Sequence, residues 1–391
     1  MRPSNKRPPI WSANWLARGY TVGVKKTAQE TDVQVFKRKL AAYKGAIDAD
    51  ISAYAKQVQK STLQDYGKDA RLEVDTYLSI LERGGKRIRG SLAMLGYEMS
   101  GGKDQAMILQ AARVIEMMHA YILIIDDIQD RSIMRRGAPA AHVMLADHHE
   151  KYELAGDSAH FGMSIALNAA LSGAHAAQTL LANLDAPADL RLKALSILNR
   201  TMLVTAHGQT NDIMNEVVAE VTQADVERVL EWKTAHYTFL NPLHVGMVLA
   251  GADCAATDAI TGYAMQAGKT FQITDDVLGT FGSEFESGKS PMDDTREGKR
   301  TQLTVYALDH TSNGNKNFLI QMLGNDNLTP AEFHRCKDVI AESGALDYAK
   351  AQAQKHIEQA LVSLEQEKHR WTPEGIQFLS GLAQYLLTRT S

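Results

Sequence analysis

The chain has 391 residues, of which 45% are hydrophobic and 23% charged, so it can bury a large core and does not belong to the disordered class. Its net charge of -4 argues against a nucleic-acid partner. Two isolated cysteines, Cys254 and Cys336, form no disulfide or metal-binding pattern, which predicts a reducing, cytoplasmic location. No uncharged apolar run approaches roughly 18 residues and no signal peptide is recognisable, so we expect no transmembrane segment.

The first part of the chain is basic. Residues 1–44 carry ten Lys and Arg against two Asp and Glu, interleaved with Trp11, Trp15 and Tyr20. We interpret residues 1–45 as an extension that packs on the body or on a partner subunit, although such an arm could also touch an anionic membrane surface. From residue 32 to residue 66, apolar residues recur at helical spacing, which predicts one or two amphipathic helices.

A basic turn follows the helix that is predicted to end near Leu81. Paired glycines, Gly84-Gly85, break that helix, and Lys86 and Arg89 then open the next one. Backbone amides at a helix start, together with two cations one turn apart, form a site for phosphate oxygens. The spacing of a nucleotide-binding P-loop is absent. Taken by itself, this turn could also be a solvated basic cap.

An acidic stretch ends the apolar run from Val114 to Ile125. On a helix, Asp126 and Asp130 lie one turn apart on one face, with Asp127 beside them. Three unpaired carboxylates on a mostly buried helix would repel one another, so they predict a bound cation, and Mg²⁺ commonly bridges carboxylates to substrate phosphates. His119, two turns earlier on the same face, could donate to the same phosphate. An acidic surface turn and a core histidine are the alternatives.

Positive charge returns soon after the acidic stretch, at Arg135 and Arg136, whose side chains diverge and can therefore serve two different anions. A second acidic pair, Asp275-Asp276, ends another apolar helix about 150 residues after the first acidic stretch. Two such clusters are hard to explain as independent helix caps. We expect them to face each other, with Mg²⁺ between them holding a diphosphate that the aspartates alone would repel.

The order and spacing of these motifs resemble those of the trans-isoprenyl diphosphate synthases, the polyprenyl synthetase family. The resemblance covers roughly residues 60–385, leaves the amino-terminal extension outside, and includes further motifs in the second half of the chain. These are Gly208-Gln209-Thr210-Asn211-Asp212, Lys233-Thr234-Ala235-His236-Tyr237-Thr238, Phe271-Gln272-Ile273-Thr274-Asp275-Asp276-Val277-Leu278-Gly279, Gly288-Lys289 and Asp293-Asp294-Thr295-Arg296-Glu297-Gly298-Lys299-Arg300-Thr301.

The resemblance implies that a homodimer with three bound Mg²⁺ ions ionises an allylic diphosphate and condenses it with isopentenyl diphosphate. Proton elimination follows, and the released pyrophosphate is the implied proton acceptor. The side chains implied to bind substrate are Lys86, Arg89, His119, Arg135, Arg136, Lys233, Gln272, Lys289 and Lys299. Those implied to be catalytic are Lys233, Thr234 and Gln272. The implied metal ligands are Asp126, Asp127, Asp130 and Asp275.

Two positions depart from the family's pattern. The second acidic motif has Gly279 where its last aspartate often stands, which puts one remote metal ligand in doubt rather than the activity. Asn168-Ala169-Ala170 stands where a Gly-Asp pair is common. We expect altered packing at this second position.

Product length is expected to follow the depth of the cavity, whose floor in the family is formed four and five residues before the first aspartate. Here these residues are Ile122 and Tyr121. An aromatic residue at the fifth position alone resembles the archaeal-type geranylgeranyl synthases, so a C20 product is predicted, with C15 and C25 left open. At 100° per residue, Ile122 falls about 40° from Asp126 and Tyr121 about 140°, so the floor role of Tyr121 rests on the resemblance.

Scarce proline and recurrent helical spacing predict an all-α fold, and site residues spread from Lys86 to Lys299 require one domain, residues 46–391, to bring them together. We expect a single large antiparallel helical bundle around a central cavity, of the isoprenoid synthase type. A class I terpene cyclase would need an NDxx[ST]xxxE motif, but Asn215 and Ala219 occupy the required positions. A non-catalytic partner subunit would lack aspartates or carry CxxxC motifs, and a purely structural bundle would need neither acidic motif.

Overall fold

The computed structural model describes residues 26–282 and 290–388, with side chains described from residue 32 onwards. Trp11, Trp15 and Tyr20 of the basic extension, and Lys289, lie outside the described residues. The described chain consists of helices and one short β-ribbon, in which β1 (Met134–Arg135) pairs antiparallel with β2 (Ala138–Pro139). The all-α prediction is confirmed.

Seven helices form the first part of the described chain. They are α1 (Lys26–Asp65), α2 (Lys68–Glu82), α3 (Ile88–Met99), α4 (Gln105–Gln129), α5 (Ala141–Lys151), α6 (Ser158–Ala182) and α7 (Ala188–Val217). The next group is α8 (Gln223–Val229), the π-helix π1 (Leu230–Leu240), α9 (Asn241–Leu249) and α10 (Cys254–Phe281). The last group is α11 (Asp293–Glu297), α12 (Gln302–His310), α13 (Asn313–Met322), α14 (Pro330–Glu342), α15 (Ala345–Gln366), a 3-10 turn (Lys368–Arg370) and α16 (Pro373–Thr388).

Helix α1 is one continuous helix, where the sequence allowed one or two. It runs through residue 45, and Phe36, which precedes that residue, is only 1% exposed. The ring of Phe36 contacts those of Phe378 and Tyr385 on α16, with centroids 5.1 and 5.2 Å away. Residues 32–45 therefore pack as part of the helical body, and the expected domain boundary falls inside a helix.

Helix α4 is the apolar helix that carries the first acidic cluster. Asp104 caps its amino terminus by accepting a hydrogen bond from the backbone N–H of Met107 at 2.9 Å. By length and composition α4 could cross a membrane, but 72% of its most apolar stretch is buried inside the fold, where it packs against α3 and α6. A buried charge on α4 is also compensated, since Arg87 donates to Glu116 at 3.2 Å.

Helix α10 connects the two hydrophobic cores of the described chain. Ile260 and Tyr263 belong to the larger core, and Ile273 and Val277 belong to a smaller core formed with the carboxy-terminal helices. On either side, α10 packs against π1 and α15. Because both cores hold this helix, the acidic pair near its end has a defined position.

The Asn168-Ala169-Ala170 segment lies in α6, which packs on α4 and α5. Ala169 and Ala170 are fully buried, whereas Asn168 is exposed. This segment therefore places the two alanine side chains in the core and the side-chain amide of Asn168 at the surface.

Candidate active site

A cavity of about 610 Å³ is lined by the ends of α4 and α10. Asp126 and Asp130 line it from α4, and Asp275 and Asp276 line it from α10. The two acidic clusters are distant along the chain but share one cavity. This is the arrangement that a diphosphate held between them requires.

Asp127, the middle aspartate of the first cluster, does not line the cavity. Its side chain is fully buried, and its Oδ1 accepts from Nε of Arg135 at 2.7 Å. Burial, followed by the charges of Asp126 and Asp130, raises the pKa of Asp127 to about 6 although Arg135 opposes the shift. We therefore remove Asp127 from the predicted metal ligands, because its carboxylate is turned into the protein.

Arg135 is committed to the same acidic cluster. Besides its contact with Asp127, its Nη2 lies 3.4 Å from Oδ2 of Asp126. Burial by itself would lower the pKa of Arg135, but the two carboxylates outweigh burial and raise the pKa. Arg135 nevertheless lines the cavity, so its binding of a substrate anion stays a prediction. The adjacent arginines do diverge, and Arg136 joins the other predicted substrate-binding cations.

Lys233, on π1, bridges the first cluster to α7. Its Nζ lies 2.6 Å from Asp212 and 3.4 Å from Asp126. Burial disfavours the ammonium charge, but Asp212 and Asp126 raise the pKa of Lys233 well above its ordinary value. Lys233 is therefore held in its charged form at the wall of the cavity.

Lys299, which follows α11, makes a similar bridge. Its Nζ lies 2.8 Å from Asp130, 2.6 Å from Glu216 and 3.4 Å from Asp212. These carboxylates raise the pKa of Lys299 against the opposing effects of burial and of Lys233. The sequence analysis assigned no role to Glu216. Its position one helical turn after Asp212 was the signal that could have identified it.

Two neighbouring helices approach π1 closely. A Cβ at Gly208 on α7 would lie 2.3 Å from the backbone nitrogen of Lys233, and a Cβ at Gly268 on α10 would lie 2.6 Å from Cα of Ala235. Any side chain at either glycine would clash with backbone atoms of π1. The two glycines therefore let α7 and α10 press against π1 and set the position of Lys233 and of Thr234 beside it.

A chain of hydrogen bonds orients Gln272. Thr234 donates from Oγ1 to Oε1 of Gln272 at 2.8 Å, and Gln272 donates from Nε2 to Oδ1 of Asp276 at 2.7 Å. Burial raises the pKa of Asp276 well above its ordinary value, and the charges of Asp294 and Asp275 add to this effect. The predicted catalytic side chains Thr234 and Gln272 are thus brought together at the cavity.

Four predicted substrate-binding side chains, Lys86, Arg89, His119 and Arg136, line the same cavity, and we call them the basic region. Arg89 Nη1 and Arg136 Nη2 lie 3.3 and 3.2 Å from Nε2 of His119. Burial, followed by these arginines, lowers the pKa of His119 well below its ordinary value, so the ring is neutral. Because guanidinium groups only donate, Nε2 accepts from them. In this arrangement Nε2 does not donate, and the prediction that His119 donates to a phosphate stays a prediction.

The basic region is tied to π1 through Arg89. Its Nη2 donates to the hydroxyl of Tyr237 at 2.6 Å and to Oγ1 of Thr238 at 2.9 Å. Burial and the neighbouring arginines lower the pKa of Arg136 to about 10, although Glu116 opposes the shift. Closely spaced guanidinium groups of this kind bind a diphosphate well. The π-helix therefore links the lysine at the acidic clusters to the arginines of the basic region.

Part of the cavity wall is apolar. Tyr121 and Ile122 both line it, together with Met202 from α7 and Phe271 from α10. Tyr121 reaches the cavity in spite of its angle from Asp126 because the cavity extends around α4. An apolar chain attached to a diphosphate would be accommodated along this wall.

The family model described as polyprenyl synthetase matches residues 73–340 of the chain. The chain belongs to the polyprenyl synthetase family. It is 32% identical over 281 residues to the geranylgeranyl diphosphate synthase of Saccharolobus solfataricus, covering 72% of this chain and 80% of the relative. It is 29% identical over 294 residues to the geranylfarnesyl diphosphate synthase of Aeropyrum pernix, covering 72% and 84%.

Solved structures of this family agree with the fold. A crystal structure of geranylgeranyl pyrophosphate synthase from Corynebacterium glutamicum, complexed with isoprenyl diphosphate and magnesium, superposes with a TM-score of 0.81 at 28% identity. The match covers 92% of this chain and 99% of that chain. The predicted family and the predicted trans-prenyltransferase class are confirmed.

Polyprenyl synthetases use a divalent metal, and the cavity fits one. Asp126, Asp130 and Asp275 line it with carboxylate oxygens, the donors that Mg²⁺ prefers. In the described part of the chain, no three carboxylate, imidazole or thiolate groups are gathered as a preformed metal site. Mg²⁺ is typically held by one or two carboxylates together with substrate phosphates, so this spacing suits it. Burial and Asp126 raise the pKa of Asp130, so a bound cation would stabilise its ionised form.

Proposed function

We propose that this polyprenyl synthetase condenses isopentenyl diphosphate head-to-tail with an allylic diphosphate and releases geranylgeranyl diphosphate. The observation that carries the proposal is the meeting of two acidic clusters and the basic region in one cavity with an apolar wall. The acidic clusters suit the metal-bound diphosphate of the allylic substrate, which is the leaving group. The basic region suits a second diphosphate that is held without metal and stays attached to its carbon chain.

The leaving diphosphate would bind between the acidic clusters. Asp126, Asp130 and Asp275 would hold the divalent ions, three as the family resemblance implies, which when bound neutralise the diphosphate and favour its departure. Lys233 and Lys299 then exchange carboxylate partners for phosphate oxygens. The C1–O bond breaks, its electron pair leaves with the diphosphate, and an allylic cation remains.

Isopentenyl diphosphate would bind at the basic region. Lys86, Arg89 and Arg136 hold its diphosphate, and His119 fixes the two arginines through Nε2. The double bond attacks C1 of the allylic cation and forms the new carbon–carbon bond. This attack leaves a positive charge on the tertiary carbon of the isopentenyl unit. The carbon between that centre and the diphosphate-bearing carbon then loses a proton to the released pyrophosphate, and its C–H electron pair forms the new double bond, so no protein base is required.

The apolar wall and residues of π1 would surround the allylic cation. The wall excludes water, which would otherwise quench the cation. Thr234 and Gln272, oriented by their hydrogen bonds, would present polar atoms to the developing charge. Lys289, which lies outside the described residues, is proposed to add a cation to the phosphates, as the resemblance implies.

A C20 product is supported by Tyr121 at the apolar wall. Several relatives, including those of Saccharolobus solfataricus, Sulfolobus acidocaldarius and Methanosarcina mazei, are named geranylgeranyl diphosphate synthases. The relatives of Aeropyrum pernix and Natronomonas pharaonis are named geranylfarnesyl diphosphate synthases, so a C25 product is the second candidate.

We propose that the enzyme is a cytoplasmic homodimer. Met163, Leu167 and Leu171 are 39%, 46% and 55% exposed, and their four-residue spacing places them on one face of α6. An exposed apolar stripe of this kind suits a two-fold, self-complementary interface. The cytoplasmic location is supported by two cysteines that form no disulfide.

The proposed activity is tested with isopentenyl diphosphate, Mg²⁺ and C5, C10 or C15 allylic primers, followed by sizing of the dephosphorylated products. We expect C20 as the main product. A folded protein that extends none of the primers would refute the activity, and a dominant C25 product would select the second candidate. Light scattering checks the dimer, which Leu167→Glu should dissociate and the exposed control Leu192→Glu should not.

A further inference from the structure

The two acidic clusters differ in the spacing of their carboxylates. On α4, Asp126 is followed one turn later by Asp130, and both line the cavity. On α10, Asp275 is followed one turn later by Gly279, which also lines the cavity but has no side chain. The second helix therefore supplies no carboxylate at the position where the first helix supplies Asp130.

The space beside Gly279 is taken by Asp294. A Cβ built at residue 279 would lie 2.6 Å from Oδ2 of Asp294, closer than real Cβ contacts allow. Asp294 also lines the cavity, and it contributes to the raised pKa of Asp276. A side chain at residue 279 and the carboxylate of Asp294 in its present place are therefore mutually exclusive. Asp276 directly follows Asp275 instead of standing one turn after it, and its Oδ1 accepts from Gln272.

The segment that carries Asp294 is tied to both clusters. The backbone carbonyl of Asp294 accepts from the backbone N–H of Lys299 at 2.9 Å, and Gly298 between them has a φ of +82°. The Lys299 ammonium group in turn reaches Asp130. One short loop thus presents a carboxylate to the α10 cluster and an ammonium group to the α4 cluster.

We propose that Asp294 supplies the second acidic cluster with the carboxylate that α10 lacks at Gly279, and that it binds the metal–diphosphate together with Asp275. The glycine at residue 279 makes room for this carboxylate. The inference rests on the proposed function, since it concerns the same diphosphate site.

The test moves the carboxylate between the two positions. Asp294→Asn removes it, and the double variant Gly279→Asp/Asp294→Ala, which also empties the space beside residue 279, returns it from α10 with no change in net charge relative to the parent. Asp293→Asn is the matched control, because Asp293 carries the same charge on the same short helix and does not line the cavity. Binding of Mg²⁺ with inorganic pyrophosphate is measured by calorimetry, and the melting temperature of each variant checks its fold.

We expect Asp294→Asn to weaken binding of Mg²⁺–pyrophosphate by about tenfold or more, the double variant to recover most of that loss, and Asp293→Asn to bind like the parent. Unchanged binding by a folded Asp294→Asn, an equal loss in Asp293→Asn, or no recovery in a folded double variant would overturn the inference. Failure of the unmodified enzyme to form a prenyl product would instead overturn the proposed function. The two failures are therefore distinguishable.

Discussion

Lys299 donates from Nζ to Oδ1 of Asp130 at 2.8 Å, although 169 residues separate them along the chain. The bond closes the loop after α11 onto the end of α4. The same ammonium group contacts Asp212 and Glu216 on α7. One cation therefore compensates carboxylates from two helices before any substrate is bound.

Replacing Lys299 with Met should leave those carboxylates without their shared cation. We expect kcat/KM to fall by about 100- to 1000-fold, because Lys299 is also proposed to bind the leaving diphosphate. The melting temperature should fall too, and Mg²⁺ alone should raise it more in the variant than in the parent, since the metal would replace the missing charge. Lys193→Met, at an exposed surface pair, is the control. A variant with parental activity would exclude Lys299 from the site.

Replacing Tyr121 with Ala should lengthen the product, because it opens the apolar wall next to the growing chain. The expected shift is from mainly C20 to products longer by one or more C5 units, measured by sizing the dephosphorylated products. Leu192→Ala, at a site 68% exposed, should leave the distribution unchanged. An unaltered product length in Tyr121→Ala would remove Tyr121 from the floor of the cavity.

Replacing Arg136 with Gln should weaken the binding of isopentenyl diphosphate more than the binding of the allylic substrate. Arg136 belongs to the basic region, so we expect KM for isopentenyl diphosphate to rise by about tenfold or more, with a smaller change in KM for the primer. Steady-state kinetics with each substrate varied in turn separates the two effects. Arg131→Gln removes an exposed arginine that pairs with Asp326 and should change neither constant. A larger effect on the primer would reverse the proposed assignment of the two diphosphates.

Asp127 should make stability depend on pH in a direction set by its raised pKa. Its folded pKa of about 6 lies above its ordinary value of 3.8, so between these values the folded state holds more protons than the unfolded state. The contribution of Asp127 to stability is therefore fully present below about pH 4 and is lost as pH rises to about 6. Relative to Asp127→Asn, the parent should lose about 3 kcal/mol of unfolding free energy over this range.

Denaturant unfolding of both proteins at several pH values measures this difference, and groups common to both proteins cancel. A difference that stays constant from pH 4 to pH 7 would show that Asp127 is ionised throughout, with Arg135 outweighing burial. A parent that gains stability relative to the variant as pH rises would reverse the sign of the shift.

The sequence by itself determined which helices carry the chemistry. Apolar runs that end in Asp126 and Asp275 specify two buried helices with charged ends, and charges that cannot be buried alone must share a solvated or cation-binding cavity. The glycine pair before Lys86 likewise marks a helix start suited to phosphate. The all-α fold followed from helical spacing and scarce proline, and the family followed from the resemblance in the order and spacing of the motifs. Both could be predicted because periodicity and spacing are properties of the chain itself.

Only the tertiary structure decided which atoms face the cavity. Asp127 is turned inward by Arg135, His119 accepts from two arginines that arrive from other segments, and Asp294 enters the space beside Gly279. None of these contacts can be derived from local spacing, because each one depends on how distant segments pack and on which partner compensates a buried charge. Residue type and periodicity place a carboxylate on a helix, but the packing of the other segments determines whether it reaches the cavity or pairs within the protein.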